Sequence, residues 1–217
     1  MHRRKFLNTG LATFAACSLG CRGNQYAEIK HPGDPALVGS HQAGGETWRP
    51  LMDEAVAKLL GRHSMARQPL PNPEVPLPRL RICFVGVENK SSEEIGDFKD
   101  QIYEQIDARI LESQVFEPVS KRFVEAGLMQ TRLRPDVLMV PEYMRTFTAV
   151  MEQQGQPFDY LLYATITSGT TRENKDYQRD YLLTMELIDV HNGQYDKQSA
   201  SLSKGYYHSR LSRLIKG

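Results

Sequence analysis

The sequence predicts an α/β (α+β) domain in which a single mixed β-sheet has helices packed against it and closes with a C-terminal antiparallel hairpin. Three observations carry that expectation. Leu80-Arg81-Ile82-Cys83-Phe84-Val85-Gly86-Val87 is a nearly continuous apolar run, the pattern of a strand covered on both faces. Directly after it, Ile95, Phe98, Ile102, Ile106 and Ile110 recur at helical spacing. Toward the C-terminus, Phe158 to Thr167 and Tyr181 to Val190 are rich in β-branched and aromatic residues, and Asn192-Gly193 after them is a hairpin signal.

Composition agrees with a folded chain and excludes several classes. The 217 residues are 40% hydrophobic, with 27 Lys plus Arg against 26 Asp plus Glu and 3 Cys. No stretch reaches the roughly 18 to 20 apolar residues that span a bilayer. Three cysteines are too few for a disulfide-stapled scaffold. A balanced charge lacks the clustered basic excess of a nucleic-acid binder. The length accommodates one domain plus tails, or at most two small domains.

Residues 1–16 combine a basic head (Arg3, Arg4, Lys5) with a short apolar run, the layout of an export signal. Arg3-Arg4-Lys5-Phe6-Leu7 resembles the core of a twin-arginine signal; a general secretory signal with a basic start is the competing reading. Phe14-Ala15-Ala16-Cys17 resembles a lipobox, with Cys21 a second candidate four residues on. Cys17 is the expected lipidation site because the apolar run ends directly before it. The alternative is simple secretion with cleavage nearby, which leaves Cys17 or Cys21 as an odd thiol. Removing the three basic residues near the start leaves 24 basic against 26 acidic side chains.

Residues 17–46 read as a flexible tether, because Arg22 to Glu46 has scattered Gly, Pro and Gln and no sustained period. Such a coil reaches roughly 25 to 30 Å. Residues 47–79 comprise an amphipathic helix, Thr47 to Leu60, ended by Gly61, and a strap from Gln68 to Arg79 with five prolines that excludes helix. The helix is expected to pack on its own domain, with the strap as the crossover that returns the chain to the core. The folded core spans 80–208, and 209–217 is a tail.

Within the core, Cys83 reads as an inert buried thiol. Ser91 with Glu94 forms a capping-box signature, which places Glu93, Glu94 and Asp97 in the first turn of a helix ending near Ser113. Val115 to Val119 is a short strand limited by Pro118. Ser120 to Gln130 and Glu142 to Gln154 read as helices, the second released at Gly155. Phe158 to Thr167 is a strand, Ser168 to Arg179 a loop, and Tyr181 to Val190 a strand with Tyr181, Leu183, Met185 and Leu187 on one face. Asn192-Gly193 predicts a type I′ turn and an antiparallel return over Gln194 to Tyr207, whose polarity makes it an edge.

Catalytic signatures are missing: there is no GxxxxGK[ST], HExxH, GxSxG or paired CxxC. The six histidines are dispersed, with no clustered ligand set for a metal. The expectation is a protein without catalytic residues, metal or cofactor, and not an enzyme. The segment Ser168 to Arg179 mixes Arg and Tyr, the types that anchor protein interfaces. Arg172, Lys175, Tyr177 and Arg179 are therefore the candidate partner-binding residues, against the plainer reading of a solvated hairpin tip.

Val85-Gly86-Val87-Glu88-Asn89-Lys90-Ser91, Gly155 to Phe158 leading into Asp159-Tyr160-Leu161-Leu162-Tyr163-Ala164-Thr165-Ile166, and Leu187-Ile188-Asp189-Val190-His191-Asn192-Gly193 together resemble the LpoB type of penicillin-binding protein activator lipoproteins. The likeness covers roughly residues 80 to 200, and the DYLLYATI and DxxNG segments also resemble curli-secretion and TolB N-domain-like folds. The resemblance implies a sheet domain on a lipid anchor, in the outer membrane and facing the periplasm. There it would dock on a peptidoglycan synthase and stimulate it without chemistry of its own. An alternative within the same fold is a structural component of an envelope secretion or assembly complex, which would self-associate into rings.

Overall fold

The computed structural model describes residues 43–66, 79–173 and 176–206. The signal with Arg3 and Arg4, both candidate lipidation cysteines, nearly all of the tether and strap, and Lys175 lie outside the described residues.

Helix α1 spans Gly45–Ala66. Trp48, Leu51, Met52, Ala55, Val56 and Leu59 are all buried, as their spacing requires. The helix does not end at Gly61. A glycine inside a helix costs about 1 kcal/mol, and the packed stripe before it offsets that, so the helix runs another turn, with Ser64 Oγ donating to the Gly61 carbonyl at 3.0 Å.

Five strands form one mixed sheet: β1 Leu80–Lys90, β2 Phe116–Pro118, β3 Tyr160–Glu173, β4 Asp176–Asp189 and β5 Tyr195–Tyr206, in the order β2-β1-β3-β4-β5. β1 is parallel to β2 and β3, while β3, β4 and β5 are antiparallel. The C-terminal strand is an edge, as its polarity predicts. The helices are α2 Phe98–Ser113, α3 Lys121–Thr131 and α4 Pro141–Gln153, with a 3₁₀ turn at Pro135–Met139.

The sheet is covered on both sides. On one face, α1 and α2 bury Ile102, Ile106 and Ile110 against Ile82, Phe84, Val87, Leu162, Tyr181, Leu183, Met185 and Leu187. On the other, α3, α4 and the 3₁₀ turn bury Val124, Phe147, Met151 and Leu138 against Cys83, Val85, Leu161 and Ile188. The continuous apolar run of β1 is thus shared between two cores. A bulge between Phe84 and Gly86 inserts one residue, which is why Val87 rather than Gly86 follows Phe84 on the α1 and α2 face. α3 and α4 approach closely at Gly127, where an added Cβ would lie 2.6 Å from Met151 Sδ and 3.0 Å from the Phe147 ring.

Three local expectations are corrected. No capping box forms at Ser91, whose hydroxyl instead donates to Asn89 Oδ1 at 2.6 Å, while Asn89 Nδ2 donates to the Glu93 carbonyl at 2.7 Å. This polar knot and Gly96 at φ +39° delay the helix to Phe98, leaving Glu93 and Glu94 in the preceding loop. Second, Ser168–Glu173 and Asp176–Arg179 are strand, not loop: the β3–β4 ladder runs from Tyr160↔Asp189 to Glu173↔Asp176. The exposed residues Gly169 to Arg172 and Gln178 thus lie on regular strand backbone. Third, the β4–β5 turn is longer than a type I′ turn, which requires positive φ at both central residues. Only Gly193 is left-handed, at φ +73°, and the Asp189 carboxylate holds the loop by accepting from His191 N, Asn192 N and Asn192 Nδ2.

Candidate functional site

β1 pairs with β3 only as far as Lys90↔Thr167. Beyond that point, Ser168–Glu173 of β3 has β4 on one side and, among the described residues, no strand on the other. The first residues of β4 and the last of β5 continue with it as a three-stranded extension, register-matched at Arg172↔Tyr177 and Tyr177↔Tyr206. Of the sequence-predicted contact residues, Arg172, Tyr177 and Arg179 lie here.

Strand alternation assigns Tyr177, Arg179 and Tyr181 to the inner face of β4. A guanidinium on that face needs an acid, and the β1–α2 loop supplies Glu93, whose side chain is 5% exposed. Arg179 Nη1 donates to Glu93 Oε1, and the Tyr181 hydroxyl donates to the same oxygen at 2.8 Å. The Tyr181 and Tyr206 hydroxyls are 3.0 Å apart. Tyr177 stacks on Tyr206 with centroids 4.5 Å apart, and the Arg179 guanidinium lies 5.4 and 5.7 Å from those two rings. The Trp48 ring of α1 meets Tyr181 edge-on at 5.4 Å. Lys204 Nζ sits over Tyr206 and bonds Glu46 Oε1 at 2.9 Å. The Ser92 amide donates to Ser168 Oγ at 3.0 Å.

The electrostatics follow from these contacts. Burial pushes the Tyr181 hydroxyl up, and its hydrogen bond with Tyr206 adds to that, so it remains a neutral donor. Partial burial would raise Glu46, but the hydrogen bonds from Lys204 and from backbone amides outweigh it and hold the carboxyl below its ordinary value. The Glu93 carboxylate therefore ties the β1–α2 loop to β4, Tyr181 relays that tie to Tyr206 of β5 and Trp48 of α1, and Glu46 separately joins α1 to Lys204 of β5.

Arg172, Tyr177 and Arg179 differ in exposure. Arg172 is exposed, directly across the ladder from half-buried Tyr177. Arg179 is drawn inward, with its side chain 20% exposed. It holds the extension to the core and is not a free anchor. Glu93 was missed because it reads as a helix-start acid. The signal that could have found it is the alternation Tyr177, Arg179, Tyr181, which places a cation on an inward face.

The outer face of the same strands carries Thr165, Thr167, Leu182, Ser199 and Ser201 side by side, with Leu182 39% exposed. Asp180 there accepts from Ser203 and Gln178, which hold its carboxyl below the usual range. Cys83 is fully buried, which pushes its thiol up and away from the reactive thiolate. Among the described residues, no group of three or more His, Cys, Asp or Glu could hold a metal, and no helix is long and apolar enough to cross a membrane.

A family model described as peptidoglycan-synthase activator LpoB matches residues 50–195. Among solved structures, the chain is similar to the LpoB C-terminal domain from Salmonella enterica at 16% identity and a TM-score of 0.48, covering 71% of this chain and 97% of that one. It is also similar to lipoprotein GNA1162 from Neisseria meningitidis, at 24% identity and a TM-score of 0.42 over 64% and 93% of the two chains. The PelC dodecamer from Paraburkholderia phytofirmans matches at 18% identity and a TM-score of 0.31 over 64% and 85%. No curated protein sequence matches the chain.

Proposed function

The chain belongs to the LpoB family of peptidoglycan-synthase activators, and from that premise we propose that it is an envelope lipoprotein that stimulates a penicillin-binding protein by direct contact and catalyses nothing itself. The observation that carries this reading is the family match over residues 50–195. The three-stranded extension is compatible with it: a surface rigidified from beneath by a buried ion pair loses less entropy on docking than a free loop. In this proposal Arg172, Lys175 and Tyr177 touch the synthase, and Arg179 positions the strand that presents them.

The domain order proposed is a signal at 1–16, a tether at 17–46 carrying acyl chains on Cys17 or alternatively Cys21, the helix and strap at 47–79, the core at 80–208 and a tail at 209–217. Each buried CH₂ of an acyl chain contributes ~0.8 kcal/mol, so a multiply acylated cysteine anchors stably. The proposed location is the outer membrane, facing the periplasm. Mass spectrometry of the mature N-terminus distinguishes Cys17 from Cys21, and an unmodified terminus would remove the anchor from the proposal.

The direct test is a pull-down of the anchored protein from solubilised envelopes, combined with a glycan-polymerisation assay. Enrichment of a synthase and faster polymerisation are expected. Absence of both rejects the contact reading.

A further inference from the structure

A second site lies at the opposite edge of β1. β2 pairs with β1 only over Leu80–Ile82, so among the described residues the side of β1 that faces away from β3 has no strand partner from Cys83 onward. The Val119 amide donates to the Ile82 carbonyl at 2.9 Å, and on the same edge the Phe84 carbonyl accepts the Tyr103 hydroxyl at 2.8 Å. Beyond Phe84 that edge opens into a cleft of about 540 Å³, lined by five consecutive strand residues, Val85 to Asn89. Side chains alternate between faces, so an unbroken run of lining residues means that the backbone edge itself borders the cleft.

The cleft follows from the topology. α2, which leaves β1, packs on one face of the sheet, and α3, which leaves β2, packs on the other. The chain diverges at the carboxyl ends of these two strands, the position where open sheets containing parallel strands leave a ligand crevice. The two walls carry opposite free charges. Lys121 is engaged by Asp100 and Glu104, and Arg134 by Asp136. Lys99 on the α2 wall and Glu125 on the α3 wall are exposed, and among the described residues neither enters an ion pair.

We propose that this cleft takes a short extended peptide segment of a partner protein, added as a strand beside β1 where β2 stops. Strand addition supplies backbone hydrogen bonds, and alternate side chains read the walls. Because successive side chains of the peptide point to opposite faces, the segment carries an acidic residue toward Lys99 and a basic residue toward Glu125, at odd spacing. This site is separate from the β3–β4 extension and goes beyond the activator reading.

The test uses the full chain and blocked peptides of alternating Val and Thr in which one Glu and one Lys are placed either adjacent or two residues apart, both orders being made. Titration followed by amide NMR should shift Val87, Asn89 and Leu128 with the adjacent arrangement. Affinity should be weaker by about two- to fivefold with the even spacing, the worth of one exposed ion pair. Methylating alternate peptide nitrogens should abolish binding. Lys99→Glu, an exposed change that leaves the fold intact by circular dichroism, should reduce binding by the same two- to fivefold, and a peptide with Lys in place of its Glu should restore it. No shift with any peptide, shifts confined to another surface, or equal binding of the methylated peptide would each overturn the proposal. None of these outcomes bears on synthase stimulation, so failure here leaves the activator reading to its own test.

Discussion

Replacing Glu93 by Gln tests whether one buried carboxylate holds the extension to the core. Gln keeps the shape and still accepts from Tyr181, but it leaves the Arg179 guanidinium without a counter-charge beside a nearly sealed site. Breaking a buried pair from one side costs about 3 to 5 kcal/mol. Arg179 retains 20% exposure, so water screens part of the uncompensated charge and brings the loss to the low end of that range or slightly below it. The expected loss is therefore about 2 to 3 kcal/mol. Urea unfolding read by tryptophan fluorescence is suited to this, because Trp48 is the single tryptophan and packs on Tyr181 within the network. With a slope of about 1 to 3 kcal/mol per molar urea, the midpoint should fall by roughly 0.7 to 3 M with the slope unchanged. Arg179→Met should cost a similar amount, and the double variant should lose much less than the two together. A Glu93→Gln loss below about 0.5 kcal/mol, or additivity of the pair, would refute the clamp.

Arg172→Glu and Lys175→Glu should slow association with the synthase several-fold and flatten its salt dependence, since exposed charges act mainly on the on-rate; surface plasmon resonance at two ionic strengths reads this, and an unchanged on-rate removes these residues from the contact. Asp107 is raised mainly by burial, with Glu104 adding to it, and its Oδ1 has no partner. Its ionised form is therefore disfavoured in the fold, a penalty present above the raised value and gone below the unfolded value of about 3.8. Asp107→Asn should accordingly raise the melting temperature at pH 7, and the gain should disappear near pH 3. Glu46 and Glu186 are lowered against an opposing burial by their hydrogen bonds, including those from Lys204 and Lys197, and Glu88 is lowered chiefly by Lys90. Their contribution is complete above about 4.5 and lost as pH falls through the lowered values, so acid melting should show extra protons taken up on unfolding in that window. A melting temperature flat from pH 5 to pH 3 would contradict this.

Most of the architecture was legible along the chain, because secondary-structure period is a local property. The inward face Tyr181, Leu183, Met185 and Leu187, the helical stripe through Ile102, Ile106 and Ile110, and the polar edge strand follow from alternation and spacing alone. The errors fell where local chemistry has two outcomes of similar free energy. Ser91 and Glu94 suit a capping box, yet Asn89 captures the serine hydroxyl. Ser168 to Arg179 is polar enough for a loop, yet its described residues lie in the sheet, where β5 pairs with Tyr177 to Arg179 and Ser92 bonds Ser168.

The candidate site was legible in one half only. Arg172 and Tyr177 were visible as interface types in a polar segment; Arg172 is exposed, and Tyr177 is half-buried across the ladder from it. Glu93 and Arg179 are 86 positions apart, and no spacing rule reaches across that distance. The cleft beside β1 was equally invisible, since it depends on β2 stopping after three residues while α2 and α3 leave on opposite faces. The sequence by itself determined the elements, their order and which face of each is apolar, through interactions among residues close along the chain. Only the tertiary structure decided which charges neutralise one another and which strand edge stays open, because both depend on long-range pairings selected by burial of the whole core.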